Sequence, residues 1–420
     1  MARRRDTQGT VAASGSGKGR ARRIDPSERV LSPISDGEMA RRWGAVREEM
    51  AARGLDALIM QSNNDWLGGN VKWFTDLPAT NGYPRSVIFH ASDFMTVVDM
   101  GRRGERRRLD GQDKVHRGVA EIATTAAFTS VAYTDVYQAE IVAAELRRRG
   151  YRKIGWVGAG AMPHAFVACI EERLAGRAEL LDATEFVDRL KAIKSEEEIG
   201  LIRACAAMQD AVFAQVLEKI RPGMRDTEVI GLAQYEGRLR GSEQGLFLGS
   251  SAPLGQRSDF VDRHLQGRVL EAGDHISILI ENNGPGGFYT EIARTIVLGK
   301  ASNEVADGFA AMLEAQANTL KLIRPGASCR DIAEAHDAFM RARGLPPELR
   351  LYAHGQGYDL VERPLVRADE TMALAANMNL AVHPGYETET LFAVICDNYL
   401  VEADGVSECL HTTPKRVFEI

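Results

Sequence analysis

The stretch GDHISILIENNGPGGFYTEIARTIVLG, Gly273 to Gly299, decides how this chain is read. An apolar run from His275 to Ile280, a Gly- and Pro-rich reversal from Asn282 to Gly287, and a second run through Thr295, Ile296 and Val297 predict a hairpin. Glu281 and Glu291 flank the reversal, and a hairpin brings cross-strand neighbours within one side-chain length of each other. Two acids in so apolar a setting are costly to bury unless a cation or a proton sits between them. The hairpin is therefore the candidate active site.

Outward from the hairpin, the C-terminal half contains an internal echo. Ile220-Arg-Pro-Gly with Arg225-Asp226 recurs as Ile323-Arg-Pro-Gly with Arg330-Asp331, each after one long helical pattern and before another. Duplicated halves with a site between them follow. The half begins in the linker from Asp182 to Glu198, where Ser195-Glu-Glu-Glu predicts the cap of a long amphipathic helix that closes at Pro222-Gly223. Residues 191–420 form one domain on this reading.

Upstream, residues 35–190 alternate helix and strand, as a small α/β domain does. Met39, Trp43, Val46 and Met50 make an amphipathic helix stopped by Gly54. The runs 56–61, 86–90, 95–100 and 152–158 are short buried strands. Between the first two lies a loop, 64–86, rich in Asn, Gly and aromatic residues. Residues 1–34, with Arg3, Arg4 and Arg5 followed by Ala, Ser, Gly and more basic residues, predict a solvated, disordered basic tail without the apolar core of a secretory signal.

The chain is long enough, at 420 residues, for two cores. Its formal net charge of −6 gives no argument for nucleic-acid binding. No run of about 18 uninterrupted apolar residues predicts a membrane span. Five cysteines, odd in number and without CxxC spacing, point to a reducing compartment, the cytoplasm.

The order of RLKAIKSEEEIGLIRACAAM, the two helix-IRPG-RD segments, the hairpin with Tyr289 and Arg294-Thr295, HGQG at 354–357, HPGYE at 383–387 and ICDNYLVEADG at 395–405 resembles that of the creatinase, prolidase and aminopeptidase P family. The resemblance spans most of residues 37–415. It implies the pita-bread fold: an α+β chain with a pseudo-symmetric C-terminal domain preceded by a smaller α/β domain of creatinase type. It also implies, for the family's metallopeptidases, two metal ions held by two Asp, one His and two Glu. The positions that resemble the two Asp hold Glu291 and either Glu281 or Ile280, the His is His354, and the two Glu positions hold His383 and Cys396. Replacing both bridging Glu by His and Cys removes the carboxylate geometry that keeps two ions about 3.5–4 Å apart. Carboxylate, imidazole and thiolate all remain ligand types. One zinc or other divalent transition metal on Glu281, Glu291, His354, His383 and Cys396 therefore stays open beside a metal-free site.

Creatinase, within this family, implies a metal-free route to hydrolysis of a guanidino C–N bond with His and Glu residues. The chain departs from it at Ala293, where creatinase carries Glu, and in the upstream base His, whose nearest counterpart is His264. The pattern HGxGxxxxxxPLV, His354 to Val366, and the ten-residue hairpin spacing also resemble the family's dimethylsulfoniopropionate lyases, so the fold hosts eliminations as well. A homodimer is implied, with the 64–86 loop of one chain closing the other's pocket.

The expected function is a creatinase-like hydrolase that cleaves a C–N bond in a small guanidino, amidino or amino-acid-like substrate. His354 or His383 would act as general acid and base, and Glu281 and Glu291 would orient them or bind a cationic group. Tyr289, Arg294, Arg363, His264, Arg85, Trp66 and Cys396 would contact the substrate, one arginine holding a carboxylate. The alternatives are a metal-dependent Xaa-Pro dipeptidase-like hydrolase or lyase with a mononuclear site, and a non-catalytic binding protein on the same scaffold. The bland readings pair Arg294 with Glu291, leave His275 and His336 as structural histidines and Cys396 as a small buried hydrophobe, and put Asp359 and Glu362 in a solvated loop.

Overall fold

The computed structural model describes residues 24–64 and 66–420, so the expected basic tail up to residue 23 lies outside the described residues. The remainder of that tail, 24–34, is docked rather than free. A short turn, Pro26–Arg29, is capped by Asp25, which pairs with Lys114 at 2.5 Å. The Ile34 amide donates to Asp76 at 3.0 Å, and the Ile34 side chain is 1% exposed. One apolar plug with a buried amide partner anchors a segment whose composition alone reads as solvated.

The first domain is a seven-stranded mixed sheet in the order Arg106–Arg108, Val119–Thr125, Met95–Met100, Arg85–His90, Ala57–Ser62, Lys153–Trp156, Glu179–Asp182. The helix Asp36–Arg53 starts where the Ser35 hydroxyl accepts the Glu38 amide and ends at Gly54, whose φ of 65° suits a residue without Cβ. Its residues Met39, Val46 and Met50 are all buried, spaced at the helical repeat that builds one apolar stripe.

The second domain has two large sheets, each associated with a helix pair, and a two-stranded ribbon of Gly385–Glu387 with Phe392–Val394. Phe418–Glu419, Tyr289–Val297, Asp274–Asn283 and Gly245–Pro253 form the first, under Glu196–Lys219 and Asp226–Leu239. Glu362–Leu365, Ala353–Gly355, Asn379–Val382, Asp397–Glu402 and Gly405–Cys409 form the second, associated with Asn303–Leu320 and Cys329–Ala342. The repeated IRPG segments are the equivalent turns of the two helix pairs. The Gly223 amide donates to the Leu270 carbonyl at 2.8 Å and the Gly326 amide to the Leu374 carbonyl at 2.8 Å, and the single bridges Arg225 to Val269 and Ser328 to Ala373 occupy the same places. The pseudo-symmetric pita-bread arrangement is thus visible in backbone hydrogen bonds. The two sheets touch where Ala293 bridges Cys396, and the site lies at that seam.

Glu196–Lys219 is long and apolar enough to cross a membrane by length and composition, but its Cys205, Val212, Phe213 and Val216 pack in a core with Ile278, Ile280 and Ile292 of the hairpin. Its capping residue Glu198 also ties the domains together, taking the buried Arg42 guanidinium at 2.7 Å. A second tie contradicts the solvated-loop reading of Asp359 and Glu362. Lys191 Nζ lies 3.4 Å from Asp359 and 3.6 Å from Glu362, Lys194 Nζ donates to Glu362 at 3.0 Å, and the Asp359 carboxylate accepts the Gly69 amide at 2.7 Å. Burial and Lys191 give this loop its order.

Candidate active site

The hairpin register sets Glu281 directly opposite Glu291, and Ile280 opposite Ile292. Since successive strand residues face opposite sides, Glu281 rather than Ile280 shares the chamber with Glu291. Across the seam, the second sheet brings three more groups to the same point. His354 stands on the strand Ala353–Gly355, His383 follows the strand Asn379–Val382, and Cys396 precedes Asp397–Glu402. The Cys396 thiol donates to Glu291 at 2.7 Å, and the Nε2 atoms of His354 and His383 each lie 3.9 Å from a Glu291 oxygen. The two imidazole centroids are 5.1 Å apart. Glu281, Glu291, His354, His383 and Cys396 therefore converge in one chamber.

Their environments separate their protonation. Burial, with the Glu291 charge and a hydrogen bond to it, pushes the Glu281 carboxyl well above the ordinary carboxylate range. Burial pushes Glu291 upward too, but His383, His354, the Cys396 thiol and Glu281 together hold it below its ordinary value. Burial lowers His383 to about 4 against the pull of Glu291. Burial and then Glu291 push the Cys396 thiol well up, which fits its place as a donor. The His354 Nδ1 lies 2.9 Å from the Gly355 carbonyl. A carbonyl can only accept, so Nδ1 carries the hydrogen and Nε2 faces Glu291.

Behind the carboxyls stands a buried amide network that motif reading missed. Gln356 Nε2 donates to Glu281 at 2.9 Å, Asn398 Nδ2 donates to the Gln356 side-chain Oε1 at 2.9 Å, and the Glu291 backbone amide donates to Asn398 Oδ1 at 2.7 Å. The signal was two amide side chains, in HGQG and CDNY, inside apolar strands. His411 continues the network, with its Nε2 2.9 Å from Gln209 Oε1.

The other expected contacts lie elsewhere. Arg294 is fully buried and donates to Asp397 at 2.7 Å as well as to four backbone carbonyls, so it holds the seam together rather than pairing with Glu291. Arg363 pairs with Glu370 at 2.5 Å and Arg85 with Asp99 at 2.8 Å. His264 is exposed beside Asp262 at 2.6 Å. Trp66 lines a separate cleft of the first domain with Asn63, Asn81 and Thr129. Tyr289 is buried at the hairpin turn, where its amide donates to Gly357 at 2.7 Å. His275 lies 2.8 Å from the Gln256 carbonyl, a structural contact.

As a metal site, the donor set fits one ion and not two. Glu291, His354 and His383 offer one ligand atom each within 4.8 Å of one another, the carboxylate-and-imidazole set of an open mononuclear centre. A dinuclear centre lacks its bridges, because His383 and Cys396 offer no second carboxylate and Glu281 shares a hydrogen bond with Glu291.

Residues 200–403 match the Metallopeptidase family M24, and residues 42–193 match the Creatinase/Prolidase N-terminal domain. An uncharacterized peptidase of Bacillus subtilis is 26% identical over 383 residues, 89% of this chain and 98% of its own length. An ectoine hydrolase of Halomonas elongata is 25% identical over 424 residues, covering 93% and 99% of the two chains. The crystal structure of an X-Pro aminopeptidase from Thermotoga maritima superimposes with a TM-score of 0.74 at 18% identity, over 90% of this chain and 99% of that one. With both domains matched in order and the overall fold shared, the chain belongs to the creatinase, prolidase and aminopeptidase P family of pita-bread hydrolases.

Proposed function

We propose that the chamber hydrolyses a C–N bond of a small amidino, guanidino or amino-acid-like compound by proton transfer among Glu281, Glu291, His354 and His383. The observation that carries this is the convergence of two facing carboxyls with two imidazoles: Glu281 lies opposite Glu291 in the hairpin register, and the Nε2 atoms of His354 and His383 each lie 3.9 Å from a Glu291 oxygen. Burial and charge push the two carboxyls in opposite directions, the pattern by which environments assign acid and base roles. His354 Nε2 takes a proton from water as the water oxygen adds to the electrophilic carbon. Glu281 gives its proton to the departing nitrogen, and Glu291 balances the imidazolium formed on His354. The likeness to a hydrolase of ectoine, a small cyclic amidine, supports the substrate class. The five cysteines, none in a disulfide, support a cytoplasmic setting.

A second reading is favoured by one observation, the mutual closeness of the Glu291, His354 and His383 donors. A single divalent ion held by them would supply an activated water, and His354 and His383 would then hold rather than move charge. The activity of a metal-dependent dipeptidase with an altered site belongs here. Incubation with guanidino, amidino and betaine-type carboxylates and with Xaa-Pro dipeptides, with and without chelator, separates the readings. Turnover that survives chelation supports the first. Turnover lost on chelation, with one equivalent of metal by elemental analysis, supports the second. Two equivalents overturn both, and no turnover of any compound favours the non-catalytic binding protein.

A further inference from the structure

One side of the chamber is apolar, and proton transfer makes no use of it. The segment from Phe392 to Cys396 runs extended from the ribbon to the seam, so successive residues face opposite sides. Leu391, Ala393 and Ile395 pack into a core with Val305, Phe309 and Met312 of the helix Asn303–Leu320. Phe392, Val394 and Cys396 therefore face the other way, in a line whose inner end is the thiol that donates to Glu291. Burial falls off along it: Cys396 is 1% exposed and Val394 4%, while Phe392 is half-buried.

The first sheet supplies the other half of this wall. Leu279 and Ala293 share a face with Glu281 and Glu291 by the same alternation, and they pack with Cys396 and against Leu248 and Phe260. The Phe260 ring meets the Phe392 ring edge-on with centroids 4.9 Å apart. Leu248, Phe260 and Phe392 are all half-buried. His383, the one half-buried group of the chamber cluster, stands two residues before the ribbon that carries Phe392. The chamber thus meets solvent beside the wall.

Phe260 is fixed in this position by the backbone on either side of it. The Asp259 carbonyl accepts the Ser250 hydroxyl at 2.8 Å, and the Val261 carbonyl accepts the Gly249 amide at 3.1 Å and the Gln266 side-chain amide at 2.9 Å. Arg257 pairs with Asp259 at 3.2 Å and with Glu387 at 3.1 Å, which ties the Phe260 loop to the ribbon. Two rings held half-exposed at the mouth of a polar chamber are a preformed contact for an apolar group.

We propose that Phe260, Phe392 and Leu248 form the subsite for an aliphatic group on the carbon of the scissile C–N bond, which makes the substrate an alkyl or ring-carbon amidine. The proposal rests on the reading of the chamber as a C–N hydrolase and narrows its substrate class. Glu291 takes the cationic head, and the wall that continues from Cys396 takes the carbon attached to it. A guanidino carbon is bonded to three nitrogens and has no such carbon to present.

Calorimetric titration of the full chain with formamidine, acetamidine, propionamidine and butyramidine tests this. The wild type should bind each about fourfold more tightly than the one before it, the gain for burying a methylene. In Phe260→Ala and Phe392→Ala the ratio of butyramidine to formamidine affinity should fall towards one, and Phe260→Leu should keep most of it. A wild-type series without slope, with formamidine bound, overturns the subsite and leaves the hydrolase reading standing. A slope that survives both alanine variants overturns the assignment of the two rings. A slope with no hydrolysis of any member supports the subsite and removes the hydrolase. Binding of no amidine overturns both. If the slope is absent and the alanine variants sediment as smaller species than the wild type, a second copy of the chain covers the wall and the proposal falls.

Discussion

Replacing Glu281 by Gln should change how stability depends on pH, and the sign of that change distinguishes a protonated Glu281 from an ionised one. In the folded chain, burial and the facing Glu291 push the Glu281 carboxyl well above its ordinary range. In the unfolded chain it ionises near about pH 4.3. Below that pH both states are protonated and the contribution of the group is fully present. Above it the unfolded state has lost a proton that the folded state keeps, so stability falls by about 1.4 kcal/mol per pH unit until the folded pKa is passed. Glu281→Gln does not titrate, and its carbonyl can still accept from Gln356, which now donates to Glu281 at 2.9 Å. As pH rises above the unfolded value the wild type should therefore lose stability relative to the variant, by about 1.4 kcal/mol for each pH unit up to the folded value. Urea denaturation of both proteins with chelator at several pH values measures the difference. A difference that stays flat over this window means that Glu281 ionises in the folded chain, and it removes the general acid from the reaction. Glu291 is the internal control: its net-lowered pKa contributes stability that is present above the ordinary glutamate range and is lost as pH falls.

Three further outcomes are expected. Asp397→Asn leaves the buried Arg294 guanidinium without its anion and should cost about 3–5 kcal/mol by urea denaturation; a loss under about 1 kcal/mol would mean that the backbone carbonyls around Arg294 suffice. His354→Ala should reduce turnover by about 10²–10⁴-fold with unchanged circular dichroism, and wild-type kinetics would remove His354 from the mechanism. Lys191→Met leaves the buried Asp359 with no cation and should cost about 3–5 kcal/mol while exposing the linker near Ser195 to proteolysis, read by cleavage rate at neutral pH.

The pairing of Glu281 with Glu291 was legible because a hairpin reversal with flanking apolar runs fixes register locally. The duplicated halves were legible because a turn that needs glycine leaves a literal repeat: Gly223 and Gly326 sit at φ 91° and 83°. Pairing Arg294 with Glu291 was avoidable from sequence alone. The two stand three residues apart on one strand, and an odd offset sends their side chains to opposite faces. The partner Arg294 does find, Asp397, lies across the seam between sheets, where no local pattern reaches. The same applies to Asp359 and Glu362: the lysines that bury them come from the linker 168 residues earlier, so their segment reads as solvated until the domains are docked. Gln356 and Asn398 were missed because an amide carries no charge to mark it, although an amide is the group able to hold a protonated carboxyl and a backbone amide at once.

The chemical consistency of the chamber lies in its charge. A cage of four carboxylates and a histidine is stable only around cations, since buried like charges raise one another's pKa. Here the two positions beyond the hairpin hold an imidazole that burial keeps neutral and a thiol that burial keeps protonated. One of the two remaining carboxyls retains its proton. Glu291 is left as the anion, with the Cys396 thiol on one oxygen and the Glu281 acid beside it. Such a cluster needs no pair of ions to be stable, and its single buried anion favours a ligand that is itself positive at the reacting end. An amidinium or guanidinium has that charge at the carbon to be attacked, whereas a peptide bond does not. On the proposed reading, the residues that replace the dinuclear cage also favour a cationic substrate.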